Sequence, residues 1–102
     1  MKKIINGKKY DTETAKEVGY ASNGLSTRDF SYWEETLYLK KTGELFLYGY
    51  GGPRSKYSVS CGQNGWSGGN KITPLSEQEA KAWAEEYLDS DEYEALFGEV
   101  EE

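Results

Sequence analysis

The hydrophobic pattern is densest between Tyr32 and Gly52, where two runs rich in aromatic and aliphatic residues flank Lys41-Thr42-Gly43. The pattern predicts a β-hairpin over residues 32–50, with Gly43 in the left-handed position that a three-residue loop needs. In that register Leu39 faces Leu45 and Leu37 faces Leu47 on one side of the ribbon. On the other side Tyr38 faces Phe46 and Thr36 faces Tyr48, because successive side chains of a strand point to opposite faces. One face is therefore aliphatic and the other aromatic, whereas a half-buried hairpin is normally polar on its second face. Either the rest of the chain covers both faces, or the aromatic face is a binding surface.

The flanking segments are shorter. Ile5-Asn6-Gly7-Lys8 predicts a hairpin, since Asn-Gly supplies the two positive φ angles of a type I′ turn. Asp11 to Val18 combines cap residues with helix formers before Gly19 and reads as one short helix. Tyr20 to Asp29 reads as loop or weak strand, Ser55 to Cys61 as a strand, and Lys71 to Thr73 as a short strand before Pro74. From Ser76 the period changes. Ser76 and Glu79 form a capping-box pattern, and Ala80, Trp83, Ala84, Tyr87 and Leu88 make one apolar helical stripe. Ser90 is placed to cap a second helix, Asp91 to Phe97, closed by Gly98. The expected fold is α+β: a single domain over residues 1–102, with an antiparallel sheet of about four to six strands and one short N-terminal helix. The acidic helical segment 76–98 packs its first helix on the sheet through Trp83, Tyr87 and Leu88.

Composition narrows the chemistry. Among 102 residues there are nine tyrosines and no histidine, so the commonest general base, proton shuttle and metal ligand is missing. The lone Cys61 has neither a disulfide partner nor a histidine to activate it, and one soft ligand does not make a zinc site. Glu34 and Glu35 are neighbours on a strand and point to opposite faces, so they do not form a catalytic pair. Asp89-Ser90-Asp91 lacks the glycine and the terminal glutamate of a calcium loop, and no glycine-rich stretch ends in the Gly-Lys-Ser/Thr of a P-loop. A non-enzymatic protein without metal or cofactor is expected. There is no apolar run long enough to span a bilayer and no signal-peptide pattern after Met1, which places the expected site of action in the cytoplasm, away from membranes.

Charge is divided unevenly along the chain. Residues 1–76 carry eleven basic and seven acidic side chains, a net of +4. Residues 77–102 set eleven carboxylates against Lys81, a net of −10. With such an end no direct DNA binding is expected, and a protein partner with a basic nucleic-acid-binding surface is favoured. The candidate contact residues are Glu85, Glu86, Asp89, Asp91, Glu92 and Glu94, as a surface imitating phosphates; carboxylates on a helix face also serve plain solubility. A second candidate set is Tyr48, Tyr50, Arg54 and Lys56, where two cations beside tyrosines, Tyr57 included, have the residue types that hold a phosphate and stack a base.

Several stretches together resemble one family: Ile5-Asn6-Gly7-Lys8-Lys9-Tyr10-Asp11-Thr12-Glu13-Thr14-Ala15, Ser22-Asn23-Gly24, Glu34-Glu35-Thr36-Leu37-Tyr38, Phe46-Leu47-Tyr48-Gly49-Tyr50-Gly51-Gly52, Ser55-Lys56-Tyr57, Ser60-Cys61-Gly62 and Pro74-Leu75-Ser76-Glu77-Gln78-Glu79-Ala80. The chain is similar to small proteins carried by phages and conjugative elements of Gram-positive bacteria, which include type II-A anti-CRISPR inhibitors of Cas9. The resemblance implies a stoichiometric inhibitor that binds Cas9, alone or with its guide RNA, and interferes with guide loading or nucleic-acid binding. It carries over no catalytic residue. Alternative readings are an acidic DNA mimic acting on restriction enzymes or a transcription factor, an inhibitor that provokes truncation of the guide RNA, and direct binding of RNA.

Overall fold

The order of elements follows the change of hydrophobic period at Ser76: eight strands, then two helices. A computed structural model describes residues Met1–Glu102. The strands are β1 (Lys2–Ile5), β2 (Lys8–Asp11), β3 (Lys16–Ser22), β4 (Trp33–Leu39), β5 (Leu45–Gly51), β6 (Val59–Ser60), β7 (Trp66–Ser67) and β8 (Gly69–Leu75); the helices are α1 (Glu77–Tyr87) and α2 (Ser90–Phe97). The fold is α+β. Four strands form one antiparallel sheet in the order β3-β4-β5-β8, and β1-β2 and β6-β7 form separate two-stranded ribbons.

The central hairpin has the register that its pattern predicts, with Leu39 opposite Leu45, Leu37 opposite Leu47 and Thr36 opposite Tyr48. Gly43 sits at φ 94° in the loop, and the Lys40 N–H donates to the Glu44 carbonyl at 2.8 Å. The N-terminal turn also follows its sequence, with Asn6 at φ 52° and Gly7 at φ 76°. Both are left-handed positions that Asn and Gly tolerate better than other residues.

The short N-terminal helix does not form. Asp11 accepts a bond from the Glu13 N–H on its side chain, and its carbonyl accepts from Thr14 and Ala15, so the segment closes as a single turn. Lys16 to Ser22 then runs as β3 beside β4, because ladder pairing and burial of Ala21 outweigh the weak helix preference of a short segment. Val18 is the extra residue of an irregularity in that pairing, between Glu17 and Gly19. The strand expected from Ser55 shrinks to Val59–Ser60, and the one expected over Lys71–Thr73 grows to seven residues. Pro74 lies within β8 because that strand is at the edge of the sheet, where one side of the backbone needs no donor.

Each face of the sheet has its own cover. On the aliphatic face Leu37, Leu45, Leu47 and Ala21 pack with Ala80, Trp83 and Ala84 of α1, and Tyr93, Leu96 and Phe97 of α2 close the margin. The helix ends have the expected stops. Ser76 and Glu79 cap α1 reciprocally, and Gly98 ends α2 at φ 91°. The cap of α2 is Asp89 rather than Ser90, since its carboxylate accepts from the Glu92 N–H at 2.8 Å while Glu92 accepts the Asp89 N–H. On the aromatic face the β1-β2 ribbon covers one half, with Tyr10 edge-on to Phe46 and Ile72 beside them. The other half is open.

Leu37 is fully buried at 0% exposure between sheet and helix, whereas Ile4 on the outer ribbon is 63% exposed. Leu37→Ala should lower the unfolding free energy by about 2–5 kcal/mol through lost transfer energy and a residual cavity. Ile4→Ala should change it by less than about 0.5 kcal/mol. Urea denaturation of the two variants beside the parent protein measures both.

Candidate functional site

Glu35 is 4% exposed, in the middle of β4 on the helix-facing side of the sheet. A buried carboxylate is tolerated only when its oxygens are bonded. The Trp83 Nε1–H of α1 donates to Oε1 at 2.9 Å, and Oε2 accepts from the Tyr57 hydroxyl and lies 3.0 Å from the Lys56 ammonium. The register puts Gly49 opposite Glu35, and the Tyr57 ring occupies the space that a Cβ at Gly49 would fill. The Lys56 ammonium also rests 3.9 Å from the centre of the Trp33 ring. Burial acts to raise the Glu35 pKa, but bonds from Tyr57, Trp83 and Lys56 outweigh it and hold the carboxyl below the usual range. Burial, with the bond to Glu35, pushes the Tyr57 hydroxyl well above the ordinary tyrosine value. This cluster joins the sheet, α1 and the loop after β5. It is an interior brace: Glu35, Lys56, Tyr57 and Trp83 line none of the larger surface grooves.

The cluster splits the second candidate set. Lys56 and Tyr57 are committed to Glu35 on the helix side, while Tyr48 and Tyr50 lie on the opposite face. Arg54 is exposed in the loop, its backbone N–H donating to the Phe30 carbonyl at 2.7 Å. Arg54 and Lys56 therefore form no phosphate clamp with Tyr48 and Tyr50.

The acidic set is held on α1, α2 and the segment between them. Glu85, Glu86 and Asp91 are exposed and form no ion pair. Asp89 and Glu92 are engaged in capping α2, and Glu94 accepts the Val100 N–H at 3.0 Å. Lys81, the one cation of this segment, is 3.1 Å from Glu77 and lies near the Phe97 ring. A groove of about 490 Å³ runs between the helices and the C-terminal residues, with Glu85, Asp89, Glu94, Glu101 and Glu102 around apolar Leu88 and Tyr93. No three Asp, Glu or Cys side chains converge in a metal-binding arrangement.

Three residues outside the candidate set stand beside Tyr50. Glu34 is its register partner, and Glu34 Oε1 accepts from both the Tyr50 and the Tyr32 hydroxyl. The bond to Glu34 pushes the Tyr50 pKa up to about 12 and, with Tyr20 close by, also raises that of Tyr32. The pairing of Glu34 with Tyr50 is legible from the hairpin register alone; the approach of Tyr20 required the unforeseen β3.

The chain matches no family model, no curated protein and no solved structure. No helix is long and apolar enough to cross a membrane.

The Glu35 pKa, lowered in the folded state, sets a direction for acid stability. The carboxylate stabilises the fold above the unfolded value of 4.5, and that contribution is lost as pH falls through the lower folded value. Stability should drop on acidification below about pH 4.5, less steeply in Glu35→Gln than in the parent. At neutral pH Glu35→Ala should lower stability by about 1–3 kcal/mol, because the buried Trp83 N–H and the half-buried Tyr57 hydroxyl lose their acceptor while the half-exposed Lys56 turns to solvent. Denaturant titrations at pH 7, 5 and 3 read both effects.

Proposed function

We propose that this protein is a stoichiometric inhibitor of a type II-A Cas9, carried by a phage or mobile element and acting in the bacterial cytoplasm. On this reading it occupies a cationic nucleic-acid-binding surface of the effector and so interferes with guide loading or target binding. The observation that carries the reading is the net −10 segment folded as two capped helices on a rigid sheet. Its one lysine is paired within the segment, while Glu85, Glu86 and Asp91 are exposed without cations.

A preorganised array of this kind suits a channel built to hold RNA and DNA backbones. Like-signed charges held on a packed helix pair need no ordering on binding, and their field steers encounter with a positive groove. The resemblance to mobile-element proteins supplies the partner class. The absence of histidine and of paired catalytic carboxylates favours occupation over turnover. The same surface suits an anti-restriction role less well only because the family resemblance points to Cas9.

Reversing Glu85, Glu86 and Asp91 to lysine leaves both capping boxes intact. It should weaken Cas9 binding at least about tenfold, equivalent to about 1.4 kcal/mol, and relieve inhibition of cleavage. Wild-type affinity should fall steeply with added salt, as expected of exposed charges. Co-purification with Cas9, with and without guide RNA, together with cleavage assays and guide-length analysis, checks the claim. Equal affinity of the triple variant rejects it, and shortened guides in its presence replace occlusion with guide truncation.

A further inference from the structure

The open half of the aromatic face carries a second surface. Two rows of the sheet cross it: Tyr20, Thr36 and Tyr48, ending at Ile72 under the ribbon, then Ser22, Glu34, Tyr50 and Asn70. Neither row contains a lysine or arginine. Tyr20 is 49% exposed and Tyr50 40%, so both present ring area to solvent. The Tyr32 and Tyr48 rings lie 6.3 and 6.4 Å from that of Tyr50, which fixes its orientation from two sides. Both hydroxyl bonds to Glu34 end on Oε1, and no cation pairs with this carboxylate. Oε2 is thus an acceptor without a protein partner beside the exposed Tyr50 ring, with Tyr20 in the adjoining row of the sheet.

We propose that this patch is a receptor for an arginine side chain of a protein partner, its guanidinium lying against Tyr50 and Tyr20 and donating to Glu34 Oε2. The patch is negative and aromatic at once, which selects a cation with an extended planar face. A guanidinium stacks through its face while its N–H groups donate in the plane; an ammonium is more strongly hydrated and has no such face. A charged N–H···O⁻ bond then adds to the stacking. A nucleic acid fits poorly, because its phosphates would approach the Glu34 carboxylate. The site lies across the sheet from the helix pair and holds whether or not the acidic helices engage Cas9.

Titration of isotope-labelled protein with Nα-acetyl-arginine amide, followed by NMR, tests it. Saturable shifts are expected at the Tyr50 and Tyr20 rings and the Glu34 carboxyl, with millimolar half-saturation. Nα-acetyl-lysine amide should bind about threefold or more weakly, in line with the difference in stacking. Glu34→Gln keeps an acceptor for the two hydroxyls and should weaken arginine binding about fivefold or more. Tyr50→Leu, which leaves the charge unchanged, should do the same. The triple neutral variant Glu85→Gln, Glu86→Gln, Asp91→Asn separates this site from the acidic helices: persistence of the shifts supports the proposal, and their loss overturns it. Linear, unsaturable shifts, equal binding by Glu34→Gln, or displacement of these tyrosines by a short oligouridine instead of arginine would each overturn it.

Discussion

One buried carboxylate holds the three layers of this molecule together. Glu35, on β4, sits where α1 and the loop after β5 meet the sheet; α1 contributes the Trp83 donor and the loop contributes Tyr57 and Lys56. Removing a charged group from water is expensive, and only a full set of bonds offsets that expense. The arrangement therefore tolerates few alternatives. Trp83 must approach along one line, which restricts the rotation of α1, and Tyr57 must bring the hydroxyl end of its ring against Gly49, which holds the loop. An apolar residue at position 35 would keep the burial but lose the directed bonds to Trp83, Tyr57 and Lys56.

That brace has a consequence for the surfaces. By directing α1 to the aliphatic face, it commits the acidic helices to one side of the sheet and leaves the other side to the β1-β2 ribbon. The ribbon is only four residues long in each strand, so it covers Phe46 and Ile72 but stops short of Tyr20 and Tyr50. A sheet aromatic on its second face would ordinarily be buried throughout. Here the cover is half-length, and the exposed remainder carries the only carboxylate of its two rows. Exposed tyrosine rings held by neighbouring rings have little side-chain entropy left to lose on binding.

Much of this was legible where local rules and burial agree. The hairpin at Lys41-Thr42-Gly43, the Asn-Gly turn and the Ser76–Glu79 capping box each combine a backbone requirement with a residue that meets it. The misreading at Asp11–Val18 arose where these diverge. Cap residues and helix formers are present, yet Lys16, Glu17 and the residues from Gly19 to Ser22 gain more by pairing with β4, and a sequence window does not contain β4. The same non-locality hid the Glu35 cluster. Trp83 is 48 positions away, and nothing at either residue announces the other. Glu34 and Glu35 pointing to opposite faces was readable, but the difference in their fates was not. One is enclosed by a helix and the other opens to solvent.

The difference between those two neighbours is one of which bonds the fold itself supplies. Both carboxylates accept tyrosine hydroxyls, but Glu35 also has a lysine and an indole N–H, while Glu34 has neither. A carboxylate satisfied internally stabilises the fold; one left with a free oxygen at the surface can still gain from an added cation. The acidic helices extend the same logic on the other face, with carboxylates at positions 85, 86 and 91 that the fold does not use. Because the sheet separates the two surfaces, a flat partner surface can meet only one of them at a time. A partner that meets both must reach opposite sides of the domain.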